Sequence, residues 1–464
     1  MEAEIVVVGA GPAGLSAALE ASLAGARVTL VDEYARPGGQ YFKQPPAAFQ
    51  LLDRSAMGRD YERGQQLLRK VEEGKVDLLT DTLVWGAFEP GSLEIYRRGE
   101  CHRLVAERVV VATGAYDRPI AFPGWTLPGV ITAGAAQTLI KSQWVLPGSR
   151  VLLAGTGPFQ LPVAAQLVKA GATVVGVLEA ARMADWVRQV PAVWRHLDKI
   201  AEAKDYLTAL LRARVPMMYG WTILEARGTD RVEQAVIVQV DDRWRPIQGT
   251  ERVLDVDTIC TAFGFLPSLQ LPRLLGCESR WDQDLAAWVT SHDQDQRTSV
   301  QQVFVAGETT GIGGHDVALL EGAVAGVRAA ADLGRLGADE AERRLARARD
   351  DLARRRQFAD FLNRTFAIKP GIYDLIREDT VICRCEEATA GEIASAAREW
   401  HGSLRSVKQL TRAGMGQCQG RICGSLVAQI AARESGRTVE EVGVDTPRPP
   451  IKPIPLEALA GMTT

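Results

Sequence analysis

Residues 4–33 read EIVVVGAGPAGLSAALEASLAGARVTLVDE, an apolar run, a glycine turn, a run of small residues and a second apolar run that ends on two acids. The pattern predicts strand, turn, helix and strand, and it restricts the chain to folds with a parallel sheet. Gly9 permits the tight turn, Gly11 lets the backbone approach a pyrophosphate, and Gly14 lets the helix pack closely on the sheet. Pro12 and Ala13 lie at the helix start, where free N–H groups and a partial positive charge suit phosphate. Asp32 follows the second strand and is placed to accept hydrogen bonds from ribose hydroxyls, with Glu33 as the alternative. Strand, helix and carboxylate together point to a bound dinucleotide rather than a turn kept for packing. They do not choose between FAD and NAD.

The same pattern returns as SRVLLAGTGPFQLPVAAQLVKAGATVVGVLEA over residues 149–180. Such an internal repeat marks a second nucleotide-type fold. Gly155 and Gly157 keep their places, but Gln160 stands where the third glycine belongs, and it would hold helix and strand farther apart. Glu179 ends the second strand and remains suitable for a ribose. The favoured reading of this second site (Gly155, Gly157, Gln160, Glu179) is a retained fold whose site is degenerate or takes another adenine nucleotide. A working NAD(P)H site is the competing one. Trp186, Trp194 and Tyr206 follow at helical spacing and read as core.

A chain of 464 residues suggests about three domains. Its 54 basic and 57 acidic residues nearly cancel, so no global field recruits nucleic acid or an anionic membrane. No run approaches the ~18 apolar residues of a membrane span, and the N-terminus lacks the pattern of an export signal. The expectation is a cytoplasmic protein, with docking at a membrane through a partner left open. Structural disulfides are rare in that compartment. The pairs CxxxxC and CxxC that serve dithiol reductases are missing from the places they would occupy; Cys101, Cys260 and Cys277 are isolated, and Cys260 reads as a small buried hydrophobe.

The remaining four of the seven cysteines cluster, Cys383 and Cys385 in VICRCEE, then Cys418 and Cys423 in CQGRICGS after 32 intervening residues. Zinc, a disulfide pair, an iron–sulfur cluster and plain buried thiols compete for them. Zinc favours C-x2-4-C pairs, which C-x-C fits poorly. Gly414, Gly416, Gly420 and Gly424 permit sharp turns that leave N–H groups facing sulfur, and the helix-like GSLVAQIAARESG after Cys423 presents its positive end. Between the pairs, Thr389 and Glu392 form a capping-box pattern. Upstream, ADLGRLGADEAERRLARARDDLARRRQFADFLNRTF reads as a charged bridging helix whose RRRQ is a solvated face.

Further segments carry a resemblance. PGGQ (Gly39, Gln40), VVVATGAYDRP (Thr113, Gly114) and VFVAGETTGIGGHDVALLEGAVAG (Gly307, Glu308, Gly314) resemble, in order, the FAD-contacting segments of two-dinucleotide-binding flavoproteins. The resemblance implies FAD in the first fold. Glu308 stands where that family usually has aspartate, and His315 reads as a helix-start residue with a local hydrogen bond rather than a proton-transfer group. The cysteine segment resembles the bacterioferritin-associated ferredoxin-like domain, which implies a [2Fe–2S] cluster on Cys383, Cys385, Cys418 and Cys423.

Over nearly its whole length the chain looks like the alpha subunit of multisubunit amine dehydrogenases, the group of hydrogen cyanide synthase B subunits, opine oxidase A subunits and proline and hydroxyproline dehydrogenase subunits. That resemblance implies a beta subunit of the glycine or D-amino-acid oxidase type with its own FAD, which oxidises a C–N bond. It also implies a quinone or other respiratory-chain acceptor and, in some relatives, FMN at a subunit interface or a small ferredoxin-like subunit. The expected function is an electron-transferring subunit with no catalytic residue of its own assigned. A free-standing NAD(P)H-dependent reductase and a mainly structural nucleotide-binding subunit are the alternatives.

The expected fold class is α/β, a two-dinucleotide-binding-domain flavoprotein fold followed by a small helical ferredoxin-like [2Fe–2S] domain. Its parts are an FAD domain in two pieces (1–122 and 256–330), a second nucleotide-type domain (123–255), a charged linker (331–376), the cluster domain (377–445) and a Pro-rich tail (446–464).

Overall fold

The structure, a computed structural model, describes residues 1–49, 58–183 and 197–461, with the side chains of 197–202 left aside. Trp186 and Trp194 lie outside the described residues. Five helices carry most of the argument: α1 (Pro12–Leu23), α2 (Gln160–Lys169), α3 (Gly314–Asp332), α4 (Ala338–Thr365) and α5 (Gly424–Ser435). The chain forms two compact units. The first comprises Met1–Ala115, Leu266–Asp360 and Thr446–Thr464, the second Tyr116–Phe265 and Phe361–Asp445.

In the first unit, a seven-stranded sheet among the described residues runs Asp77–Leu79, Val28–Val31, Glu2–Val8, Glu100–Val111, Ser92–Arg97 and Thr82–Glu89, with Val303–Val305 added beside Glu100–Val111. Val6 to Val8 pair in parallel with both Thr29 to Val31 and Val109 to Val111. Strands covered on both faces read as continuous apolar runs, and IVVV and VVV do so here. On one face α1 packs against α3 so closely that a Cβ on Gly322 would lie 2.1 Å from the Ala13 carbonyl oxygen, and one on Gly326 2.2 Å from that of Ala17. The alanines and glycines of both helices are therefore a packing requirement, which explains why neither looks strongly amphipathic in sequence.

The tail belongs to this unit. Ile451 is buried in the apolar layer over the sheet, its N–H donates to the Trp85 carbonyl at 2.8 Å, and Lys452 forms an ion pair with Glu33. The charged helix α4 is not a uniformly solvated face either. Arg354 is exposed, but Arg349 donates to Asp295 and Glu342, and Arg356 reaches the buried carboxylate of Glu321.

In the second unit, a parallel five-stranded sheet runs Met217–Tyr219, Thr173–Glu179, Arg150–Gly155, Thr258–Ala262 and Val130–Thr132. A three-stranded antiparallel sheet (Trp221–Arg227, Gln234–Gln239, Arg252–Asp255) lies in the same unit. Strand order around both glycine turns is the same, which makes the sequence repeat a structural one. Cys260 is fully buried and burial pushes its thiol up to about 12, an inert apolar role. Tyr206 is partly buried against the apolar cluster around α2.

The cysteine-bearing segment does not stand apart as a separate domain. Its helices Ala390–Glu399, Leu404–Thr411 and α5 contribute Ile393, Val407 and Leu426 to one apolar cluster with Trp125, Ile223, Trp244 and Phe263. A segment of this size has too little interior to be stable alone, and it completes its core on the nucleotide-type fold. Buried Arg118, from the turn YDRP, hydrogen-bonds the hydroxyl of the partly buried Tyr373 and adds a polar tie. Among the described residues no helix is long and apolar enough to cross a membrane.

Candidate functional site

At the first glycine turn, Leu15 N–H donates to the Gly11 carbonyl at 2.9 Å, so α1 is regular from its first residue. A Cβ on Gly14 would lie 1.7 Å from the Gly9 carbonyl oxygen, and this contact explains the third glycine. Above Gly11 stands another glycine backbone. Among the described residues, the one neighbour within 4 Å of a Cβ placed there is Cα of Gly39, at 3.8 Å. The PGGQ loop thus forms the opposite wall, held by the Gly38 N–H on the Ala10 carbonyl at 2.7 Å. Gln40 follows and accepts from Lys43 at 2.8 Å.

Asp32 is buried beneath the turn. Its carboxylate accepts the N–H groups of Ala10 at 2.5 Å and Tyr34 at 2.8 Å, and burial raises its pKa against the effect of those bonds. Glu33 instead faces Lys452 of the tail, so the two acids have different partners. Thr113 Oγ1 donates to the Ser268 carbonyl at 3.3 Å, and the Gly114 carbonyl accepts the Ser268 N–H at 2.9 Å.

In the GETTGIGG loop, the Gly307 N–H donates to Glu321 at 2.8 Å, and Thr310 Oγ1 donates to the same carboxylate oxygen at 2.9 Å. Glu308 is turned toward the start of α3, where it accepts the Gly314 N–H at 3.0 Å, and burial raises its pKa. Arg356 binds the other oxygen of Glu321 and donates to Thr310 at 3.1 Å. Sequence reasoning missed Arg356 and Glu321, because neither belongs to the glycine pattern. His315 stacks on Tyr41 with ring centroids 3.8 Å apart, and its Nε2 lies 3.1 Å from Asp316 Oδ1.

The second glycine turn keeps one hydrogen bond of the first and shifts the other. Glu179 is buried and accepts the N–H groups of Gly157 and Ala181, each at 2.9 Å. Ala181 matches Tyr34 on Asp32, whereas the second donor has moved from the residue before the middle glycine, as in Ala10, to that glycine itself. Burial raises the Glu179 pKa to about 7. Gln160, 1% exposed, donates weakly to Glu179 at 3.4 Å, and its Oε1 has no partner among the described residues. With the larger residue in the third position, the helix cannot begin at Pro158. The Leu161 N–H bonds back only three residues, to Pro158 at 3.1 Å, and α2 begins at Gln160.

All four clustered cysteines are free thiols joined in a chain of contacts. The Cys423 S–H lies within hydrogen-bonding reach of both Cys383 and Cys418, and Cys418 also meets Cys385. The Cys423 thiol first, then the backbone N–H groups of Gly414, Glu386 and Cys385, lower Cys383 to about 5. Cys423 and the N–H groups of Ile422 and Gly420 do the same for Cys418, also to about 5, while Cys423 is pushed up. Cys383 and Cys423 are buried, Cys385 is exposed and Cys418 is half-buried. Cys383 ends the strand Val381–Cys383, Cys423 directly precedes α5, and the capping box of Thr389 and Glu392 is formed. Among the described residues, no group of three or more His, Cys, Asp or Glu stands so that it could hold a metal ion, the four clustered cysteines included.

Fold and first site together define a flavoprotein fold with two dinucleotide-binding domains. Residues 3–339 match the family described as pyridine nucleotide-disulphide oxidoreductase, and residues 378–462 match the sarcosine oxidase A3 domain. The chain is 32% identical to the opine oxidase A subunit of Rhizobium meliloti over 98% of this chain and 87% of that protein. It is also 32% identical to the hydrogen cyanide synthase subunit HcnB of Pseudomonas aeruginosa over 99% of this chain and 98% of that one. The structure of L-proline dehydrogenase from P. horikoshii superposes with a TM-score of 0.72 at 20% identity, over 99% of this chain and 79% of that chain. Thioredoxin reductase of T. acidophilum gives 0.52 at 16% identity, over 72% of this chain and 99% of that one; both structures speak to fold. The chain belongs to the pyridine nucleotide-disulphide oxidoreductase family and, within it, to the alpha subunits of heteromeric amine dehydrogenases, the group that includes HcnB and the opine oxidase A subunits. It is an oxidoreductase as one component of a heteromeric FAD-dependent dehydrogenase.

Proposed function

We propose that this chain is the electron-transferring subunit of a complex that oxidises the C–N bond of an amino acid, opine or imino acid on a partner beta subunit of the glycine or D-amino-acid oxidase type. Electrons then leave through FAD and a [2Fe–2S] centre to a quinone or other acceptor. The linked set of four cysteine sulfurs, in a chain that also keeps a glycine turn with all three glycines, carries the proposal. Flavin exchanges electrons in pairs or singly, and an iron–sulfur centre passes one at a time.

FAD would lie along the first glycine turn beside the PGGQ loop, with Asp32 at the ribose end and the Gly307–Gly314 loop along its far half. The first turn fits such a group because, among the described residues, a glycine backbone and no side chain stands within 4 Å of a Cβ placed on Gly11. Cys383, Cys385, Cys418 and Cys423 would hold the cluster. Their chemistry fits, since the Cys423 thiol first and backbone N–H groups after it lower the pKa of Cys383 and Cys418, which favours the thiolate form that a cluster takes. The choice of a two-iron centre over tetrahedral zinc rests on the C-x-C spacing, which fits zinc poorly, and on the resemblance of the segment. The exposed Cys385 and half-buried Cys418 would turn one edge toward an acceptor. The substrate class draws on the relatives, whose names speak of opine, sarcosine and L-proline.

The test is to purify the chain with its partner, count iron and flavin, record electron paramagnetic resonance after reduction, and assay C–N substrates with an artificial acceptor. Flavin, two irons and partner-dependent turnover are expected. One zinc without iron would remove the cluster, and robust oxidation by this chain alone would remove the division of labour.

A further inference from the structure

Over the second glycine turn the space is occupied. A Cβ placed on Gly157 would meet the Phe366 side chain at 3.6 Å (Cγ), 3.7 Å (Cβ) and 3.9 Å (Cδ2), whereas the corresponding Gly11 faces a glycine backbone. The second glycine of such a turn is small so that a pyrophosphate can approach the backbone there. Phe366 follows the last residue of α4, and its N–H is held by the Leu362 carbonyl at 3.0 Å. Its partly buried ring packs against the same apolar cluster that holds the cysteine segment. Beneath it, α2 begins late, at Gln160, and the N–H of Gly157 is already taken by Glu179. A dinucleotide would have to displace an apolar ring, compete for that N–H and bind a helix end lacking its first residues.

We infer that Phe366 excludes pyridine dinucleotides from the second fold, so that this chain receives its electrons from the partner chain of the complex and not from NADH or NADPH. Gln160 shapes the turn, and Phe366 fills the pyrophosphate position. The inference rests on the electron-transfer reading for its purpose, but its geometry is independent of any cluster. In a relative with an open turn this position would take the ADP portion of the nucleotide; here it takes a side chain that anchors the C-terminal segment.

The experiment measures NADH binding by its fluorescence, and flavin bleaching by NADH, in the flavin-loaded full chain with its partner. Wild-type protein is expected to show neither. Phe366→Ala should raise NADH affinity about tenfold or more, Gln160→Gly alone should change nothing, and Phe366→Ala/Gln160→Gly should exceed Phe366→Ala. NADH binding by the wild type, binding by Gln160→Gly with Phe366 in place, or no gain in folded Phe366→Ala would each overturn the inference. If Phe366→Ala fails to fold, Phe366→Leu, which keeps an apolar contact without the ring, is read by the same criterion. Loss of iron or of partner-driven turnover would count against the electron-transfer reading and leave this one standing.

Discussion

Arg384, the residue between Cys383 and Cys385, lies against the face of Trp125 with its guanidinium carbon 4.4 Å from the ring centroid. The Trp125 indole N–H donates to the Val381 carbonyl at 2.6 Å, and Arg384 donates to the Trp125 carbonyl. A loop of the nucleotide-type fold therefore holds the first cysteine pair from both sides.

Trp125→Ala should cost about 3–5 kcal/mol, as for other buried aromatic truncations. It should also speed alkylation of Cys383, which is 1% exposed in the intact protein. Trp125→Phe keeps most of the ring and loses one hydrogen bond, a cost of about 1 kcal/mol. Chemical denaturation and timed thiol labelling by mass spectrometry check both; a wild-type labelling rate in Trp125→Ala would show that this contact does not hold the loop.

Gly326→Ala tests the closeness of α1 and α3. The added methyl would stand 2.2 Å from the Ala17 carbonyl oxygen, a backbone atom that cannot swing away. Overpacking of this kind costs about 1–3 kcal/mol or more. Loss of thermal stability together with flavin content is the expected result, read by differential scanning and by the absorbance ratio of flavin to protein.

Arg356→Gln leaves Glu321, 1% exposed, without its cation under the GETTGIGG loop. Removing one member of a buried pair costs about 3–5 kcal/mol. Because Glu321 also anchors the Gly307 N–H, the variant should release flavin more readily, while Arg356→Gln/Glu321→Gln should regain part of the stability. Denaturant titration and flavin dissociation during dialysis separate the two effects.

Glu179 predicts a pH dependence. Its folded pKa of about 7 lies above its ordinary 4.5, so the folded state holds the proton more tightly than the unfolded chain. The stabilisation is fully present below pH 4.5 and is lost as pH rises through about 7. At about 1.4 kcal/mol per tenfold the full swing is ~3 kcal/mol. Glu179→Gln should flatten the stability profile between pH 5 and 7 by roughly that order. Denaturation midpoints across this window measure it, and equal slopes in both proteins would argue against the assignment.

Much of this architecture is legible locally. IVVVGAGPAG specifies its strand, turn and helix by pattern, and Gly14 answers a contact with the Gly9 carbonyl inside that stretch, although Gly9 itself is also held to a glycine by the distant Ala112 carbonyl. The second turn is legible too, including the disturbance at Gln160, whose late helix start follows from the bulk of one side chain. The capping box at Thr389 needs only residues three apart. The cysteine spacing points to convergent sulfur, since the glycines around it free the N–H groups that face Cys383 and Cys418.

Other features carry no local signature. RRRQ looks like three equivalent solvated arginines, yet Arg356 turns inward, because Glu321 on another helix offers a buried carboxylate. The Pro-rich tail could serve a partner or the chain itself, and Ile451 against Trp85 shows that it packs on its own unit. The cysteine segment reads as a separate small domain until its apolar residues are seen to share a core with Trp125 and Phe263.

The sequence by itself determined the two glycine turns and the acids beneath them, because these depend on spacing along one stretch of chain. Only the tertiary structure decided what lies over each turn: the glycine backbone of Gly39 above Gly11 and the Phe366 side chain above Gly157. The physical reason is that a turn's geometry is set by its own residues, whereas access to it is set by whichever distant segment must bury its apolar side chains there.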